Sequence, residues 1–118
     1  MQTAWNDTAP IYRQLAQQLA GQLIEGDPPE GAPMPSVRVL AQQYLINPLT
    51  VSRALQSLVD EGFWEPRRGL GMYVTEGARK RLLNSEREAF LREEWPVLRD
   101  RLKRLGLSAA DLNWENRQ

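Results

Sequence analysis

The side chains that could do chemistry in this sequence are arginines, hydroxyls and carboxylates, because it holds no histidine and no cysteine. Histidine acid–base catalysis, thiolate nucleophiles, disulfides and Cys/His zinc sites are excluded with them. No group of Asp and Glu has the loop spacing of a carboxylate metal site, so neither a metal nor a cofactor is expected. What remains is recognition. Residues 35–75 hold Arg38, Arg53, Arg67 and Arg68, with Ser36, Thr50 and Ser52 among them. A guanidinium forks onto phosphate or a guanine edge, and hydroxyls bond both phosphates and bases. Each group alone has an ordinary reading: a solvated arginine, a helix cap, a plain hairpin. Their order is what points to a nucleic-acid duplex.

That order needs elements to carry it. Ser36 caps a helix whose Val37, Leu40, Ala41 and Tyr44 recur at helical spacing and face inward, leaving Arg38 and Gln42 outside. Leu45-Ile46 makes a turn. Asn47 as N-cap and Pro48 as first helical residue start the next helix, expected over 47–61. Its Val51, Leu55 and Leu58, flanked by Ala54 and Val59, form the inner side; Leu49, Arg53 and Gln56 lie opposite, with Thr50, Ser52 and Ser57 at the margins. Gly62 ends it. Residues 63–66 and 72–75 read as two short strands, joined by the turn Arg67-Arg68-Gly69-Leu70-Gly71. Glycine there permits positive φ and a close backbone approach.

Helix, turn, helix and hairpin make a winged helix-turn-helix. A reading helix presents its first turns to the major groove. Thr50, Ser52 and Arg53 supply hydrogen bonds there, and Leu49 suits a thymine methyl. Ser36 and Arg38, at the start of the preceding helix, suit phosphate. Arg67 and Arg68 suit a neighbouring narrow minor groove.

Upstream, Ile11, Leu15, Leu19 and Leu23 recur every four residues, widened by Tyr12, Ala16, Ala20 and Ile24. This predicts a helix of about four turns, capped by Asp7 or Thr8 and ended by Gly26. Residues 27–31 form a loop, and Pro33 and Pro35 keep the next segment extended. Downstream, Leu82, Leu83, Ala89, Phe90 and Leu91 predict a helix over about 78–94. Pro96 predicts a break or a new start after Trp95. Val97, Leu98, Leu102 and Leu105 form a second stripe ended by Gly106, and Ser108 caps a last turn holding Leu112 and Trp114.

The chain has 118 residues and zero formal net charge, with 15 basic and 15 acidic side chains. One small domain with an appendage fits that length, and its modest core would gain from dimerisation. Zero net charge is weak support for DNA and keeps a second reading open: a winged helix used for protein–protein contact. An enzyme has almost no support. No apolar run approaches the roughly 20 residues that span a bilayer, and the first residues lack the basic and apolar regions of a signal peptide. A cytoplasmic location with no membrane contact is expected.

Residues 10–75 resemble the N-terminal domain of the GntR family of bacterial transcription regulators. The likeness rests on Pro10-Ile11-Tyr12-Arg13-Gln14-Leu15, on Pro35-Ser36-Val37-Arg38-Val39-Leu40-Ala41, on Asn47-Pro48-x-Thr50-Val51-x-Arg53-Ala54 with Leu58-x-x-Glu61-Gly62, and on Arg68-Gly69-x-Gly71-x-x-Val74. The Asn47-Pro48 form resembles the YtrA subgroup, whose short two-helix extension serves dimerisation; residues 78–105 fit it. The resemblance implies that Arg38, Thr50, Ser52, Arg53, Arg68 and Gly69 are the foremost DNA contacts. Two departures stand out. Leu45 occupies a turn position where many members have Gly, which puts that backbone in question. Pro48 stands where many have Arg, so one base contact of the wider family is missing.

The expected fold is therefore mainly α with a small β-hairpin wing (α+β): an arm over 1–9, a winged helix-turn-helix over 10–76 and a helical dimerisation extension over 77–118. Phe90, Trp95, Leu98, Leu102, Leu105 and Trp114 are the expected dimer contacts, since they offer more apolar surface than a small domain easily covers. The expected DNA contacts are Ser36, Arg38, Asn47, Leu49, Thr50, Ser52, Arg53, Arg67, Arg68 and Gly69. The function read from these is a homodimeric regulator of repressor type on a palindromic operator of double-stranded DNA. An effector is left unnamed, and the residues after the wing leave little room for a ligand pocket of about 300 Å3 or more.

Overall fold

A computed structural model of the chain describes residues 5–115; residues 1–4 of the expected arm lie outside the described residues. Contacts divide the chain into two compact units, 1–83 and 84–118.

The first unit begins with α1 (Ile11–Ile24), which buries Leu15, Leu19 and Leu23. The side-chain cap expected from Asp7 or Thr8 is not made; Pro10 is the N-cap, without a side-chain bond. Gln14 instead reaches back from inside the helix. Its amide donates to the carbonyls of Asn6 (2.8 Å) and Ala9 (2.7 Å) and accepts from the Asn6 N–H (3.1 Å). Those bonds order residues 6–9, which the sequence reads as irregular. Trp5 lies against Tyr44, ring centroids 6.2 Å apart.

Helix α2 (Val37–Tyr44) is capped by Ser36, whose hydroxyl accepts from Val39 N at 3.2 Å. Helix α3 (Pro48–Asp60) is capped by Asn47, whose side chain accepts from Leu49 N at 2.8 Å. It packs against both α1 and α2 through Val51, Ala54, Leu55 and Leu58, all buried as the 3.6-residue period predicts. Gly62 takes φ 81° just past its end.

The hairpin is β1 (Trp64–Arg67) and β2 (Gly71–Val74), antiparallel, with Trp64 opposite Val74 and Arg67 opposite Gly71. The pairing therefore runs one residue nearer the tip than the expected strands, and Arg67 is a strand residue. The turn is tighter: Leu70 N bonds Arg67 O at 2.9 Å, and Gly69 takes φ 76°. Such a φ is sterically costly for any residue with a Cβ.

Residues 31–34 do more than stay extended. Gly31 N bonds Val74 O (3.0 Å), Val74 N bonds Ala32 O (3.0 Å) and Met34 N bonds Met72 O (2.8 Å). They line the far side of β2 as a third partner of the wing. Pro66 thereby falls on the outer strand, where its missing N–H is tolerated.

Helix α4 (Ala78–Ala89) starts inside the first unit. Ala78 and Leu82 are core residues, so the compact unit runs seven residues beyond the expected boundary at 76, to Leu83. The Glu30 carboxylate accepts from Gly77 N (3.0 Å) and Arg79 N (3.3 Å), where the unpaired N–H groups of a helix start favour an anion. Arg79 returns to Ile24 O at 2.6 Å and Arg81 to Gly62 O at 2.7 Å.

In the second unit the new start, one of the two outcomes expected at Pro96, takes the place of a break: Pro96 falls in the first turn of a new helix. Phe90–Glu94 forms a π-helical turn, and α5 (Trp95–Arg104) follows in helical conformation. Trp95 N bonds Phe90 O, five residues back. This wider turn shifts the register just where Pro96 has no N–H to give. Gly106 ends α5 with φ 70°. Ser108 then starts a short turn as expected, its N–H (2.8 Å) and hydroxyl (3.2 Å) both donating to Asp111. Among residues 84–115 not one is buried.

Candidate nucleic-acid interface

The reading surface is built from the caps outward. Ser36 and Asn47 each spend a side-chain oxygen on their own helix. That fixes where α2 and α3 begin. It still leaves the Ser36 hydroxyl hydrogen and the Asn47 amide N–H groups to donate outward. Beyond the caps, Arg38 on α2 and Leu49, Ser52 and Arg53 on α3 are exposed, and Thr50 is half-buried at the margin. The face opposite Val51 and Leu55 is thus free along the first two turns of α3.

Leu45 decides how α3 is presented. Its backbone sits at φ 57°, ψ 48°, the left-handed conformation that glycine adopts at little cost. The turn therefore keeps the glycine-type backbone although the residue is leucine, at about 1–2 kcal/mol of steric cost. The Leu45 side chain is 77% exposed and Leu49 75%. Arg38, Leu45, Ile46 and Pro48 share an open groove of about 770 Å3 between the outer side of α2 and the start of α3. Arg38 and Pro48, the first residue of α3, thus line the same groove.

Arg53 and Arg67 are not simply solvated. The Arg53 guanidinium lies 4.2 Å from the centroid of the Tyr12 ring on α1, and Arg67 lies 4.2 Å from that of Tyr73 on β2. The Tyr12 hydroxyl accepts from Arg13 Nε at 3.3 Å. That bond, with the nearby Arg13 charge, is the main reason the phenol's pKa is lowered; Arg53 adds to it. Sequence reasoning placed Tyr12 in the apolar stripe and missed its second role. No local signal marked it, because Tyr12 on α1 and Arg53 on α3 meet only through the packing of the two helices.

Ion pairs among the described residues are Arg92–Glu93 and Arg99–Asp100, both in the second unit. Arg38, Arg53, Arg67 and Arg68 are all exposed and make no ion pair among the described residues. No hydrogen bond among the described residues ties the wing arginines to α3, so hairpin and helix present separate probes. Arg68, Gly69 and Leu70 form the exposed tip.

The expected dimer residues run from the π-helical turn (Phe90) through α5 (Trp95, Leu98, Leu102) and its end (Leu105) to the residues after the short turn (Trp114). Phe90, Leu98, Leu105 and Trp114 are exposed, Trp114 by 97%, while Trp95 and Leu102 are half-buried. Phe90, Val97 and Leu98 line a groove of about 410 Å3, edged by Glu93, Glu94 and Arg101.

Residues 11–74 match the family model "Bacterial regulatory proteins, gntR family". The chain belongs to the GntR family. It is similar to the HTH-type transcriptional repressor YtrA of Bacillus subtilis, 34% identical over 86% of this chain and 72% of that one. A GntR family transcriptional regulator from Listeria monocytogenes superposes with a TM-score of 0.73, at 26% identity, covering 90% of this chain and 91% of that structure. The DNA-binding domain of AraR in complex with its operator ORR3 shares the fold, with a TM-score of 0.56 at 22% identity over 62% of this chain and 88% of that one. The chain is thus a YtrA-like member of a family of DNA-binding transcription regulators, not of enzymes. No helix among the described residues is long and apolar enough to cross a membrane.

Proposed function

We propose that this GntR-family chain is a repressor that binds a palindromic operator as a homodimer. The observation that carries the reading is α3: a capped helix whose first two turns leave Leu49, Ser52 and Arg53 exposed, with no ion pair to Arg53 among the described residues. In this reading α3 enters the major groove and Thr50, Ser52 and Arg53 meet base edges. Ser36 and Arg38 hold phosphate, and Arg67, Arg68 and the Gly69 backbone approach the adjacent minor groove. Dimerisation runs through Phe90, Trp95, Leu98, Leu102, Leu105 and Trp114, on a segment that buries nothing alone. A twofold pair doubles the contacts of a short reading helix. Repression then follows from occupying promoter DNA.

Selection of duplexes from a randomised pool by the full chain tests the reading. The selected sites are expected to be palindromic, and affinity to fall steeply as salt rises, because phosphate contacts release counterions. Binding indifferent to salt and sequence would instead favour the protein-contact reading of the winged helix. Sedimentation of the free chain is expected to show a dimer.

A further inference from the structure

The chain has zero net charge, and residues 36–75 hold only Arg38, Arg53, Arg67 and Arg68 as cationic side chains. It has few probes, so each must be well placed. Two of the four arginines on the reading surface share one device. Arg53 from α3 and Arg67 from the wing each lie over a tyrosine ring at 4.2 Å. We propose that Tyr12 and Tyr73 are positioning residues that hold these two guanidiniums in place before DNA arrives. The inference rests on the DNA-reading role of α3 and the wing.

The rings are themselves held. Tyr12 packs against the core from α1 and its hydroxyl accepts from Arg13, which ties the ring at two points. Tyr73 sits mid-strand in β2, paired with Glu65 on one side and bridged to Pro33 on the other. Arg67 pairs with Gly71, so Tyr73 is its diagonal neighbour, the geometry in which long side chains meet across a ladder. A guanidinium stacks flat on an aromatic face and keeps its edge N–H groups free for a second partner. A free arginine would lose rotamer entropy on binding; a stacked one has already lost much of it. Arg13 lies farther from the same ring, 5.9 Å from its centroid against 4.2 Å for Arg53, and bonds the phenol oxygen at 3.3 Å.

The test uses the full chain and the tightest duplex that the wild type selects from a randomised pool. Tyr12→Leu is expected to weaken binding about two- to fivefold and to flatten base preference at the positions that Arg53→Ala also flattens. Tyr12→Phe keeps the ring and is expected to retain the wild-type profile. The double variant Tyr12→Leu with Arg53→Ala is expected to be no worse than Arg53→Ala alone. Arg53→Lys, which leaves α1 untouched, keeps the charge but loses the planar stack, and is expected to flatten the same positions even if Tyr12→Leu folds poorly. Tyr73→Leu is expected to change only the flanking preference attributed to the wing. If Tyr12→Leu or Arg53→Lys keeps the full wild-type profile, or Tyr12→Phe loses as much as Tyr12→Leu, positioning by the ring is overturned. An unchanged flanking preference in Tyr73→Leu overturns the wing half. A wild-type chain that selects no sequence at all removes the DNA-reading role itself, which distinguishes that failure from this one.

Discussion

The two units of this chain satisfy opposite conditions. The winged unit encloses a core running from Leu15 on α1 to Leu82 on α4, with Trp64 and Val74 of the wing sealed inside it. Residues 84–115 bury no side chain, yet carry Phe90, Leu91, Val97, Leu98, Leu105 and Trp114 in the open. Ordering a residue costs roughly 1–2 kcal/mol of backbone entropy, which burial has to offset. The first unit has its means of doing so within itself. The second has helix hydrogen bonds, two well-made helix ends and an apolar surface awaiting cover. The difference is that the winged unit encloses its own core, whereas the proposal for the rest is that it acquires its stability by association.

The largest expected effect tests the second half of that statement. Leu98→Asp puts a charge on the open apolar face. It is expected to yield monomers in sedimentation and to lower affinity for a two-half-site duplex by about 100-fold or more, as avidity is lost. The winged unit should keep its native circular dichroism. Arg53→Ala is the mirror experiment. It should leave sedimentation unchanged while weakening specific binding by roughly 10- to 100-fold, the worth of one bidentate base contact. A variant of one kind that produced the other's outcome would break the division of labour.

Two smaller effects lie within the winged unit. Asn47→Ala removes the α3 cap and is expected to cost about 1 kcal/mol in chemical denaturation. Leu45→Gly should act in the opposite direction. It relieves the left-handed strain at an exposed site but adds backbone freedom to the unfolded chain, for a net gain of about 0.5–1 kcal/mol. Neither substitution should alter oligomeric state. The smallest effect is spectroscopic. In a pH titration followed by tyrosinate absorbance, Tyr12 is expected to ionise at lower pH than an ordinary phenol, because Arg13 bonds its oxygen and both Arg13 and Arg53 favour the anion. Arg13→Ala should return it towards the ordinary value.

Much of this was legible in the chain itself. The positions Val51, Leu55 and Leu58 against Leu49, Arg53 and Gln56 follow from 100° per residue, and Asn47-Pro48 marks a helix start on chemical grounds alone. Both are local properties, set by neighbours a few residues away, so the sequence by itself determined the helix-turn-helix and the outward side of α3. Leu45 was the instructive failure of local reasoning. Its type argues against left-handed backbone, yet the turn that sets α3 against α2 adopts it.

The rest belonged to the tertiary structure because it joins residues far apart in the chain. Residues 31–34 become a partner of β2, Glu30 becomes the anion at the start of α4, and Gln14 orders the segment before its own helix. Pro96 announces a break or a new start, and a π-helical turn ending two residues earlier lets the new helix begin without a break. Above all, the arginines were visible as types, while the rings beneath two of them were not. Tyr12 and Arg53 are separated by forty-one positions and meet only because α1 and α3 pack together; a distance of that kind is decided by the core, not by spacing along the chain.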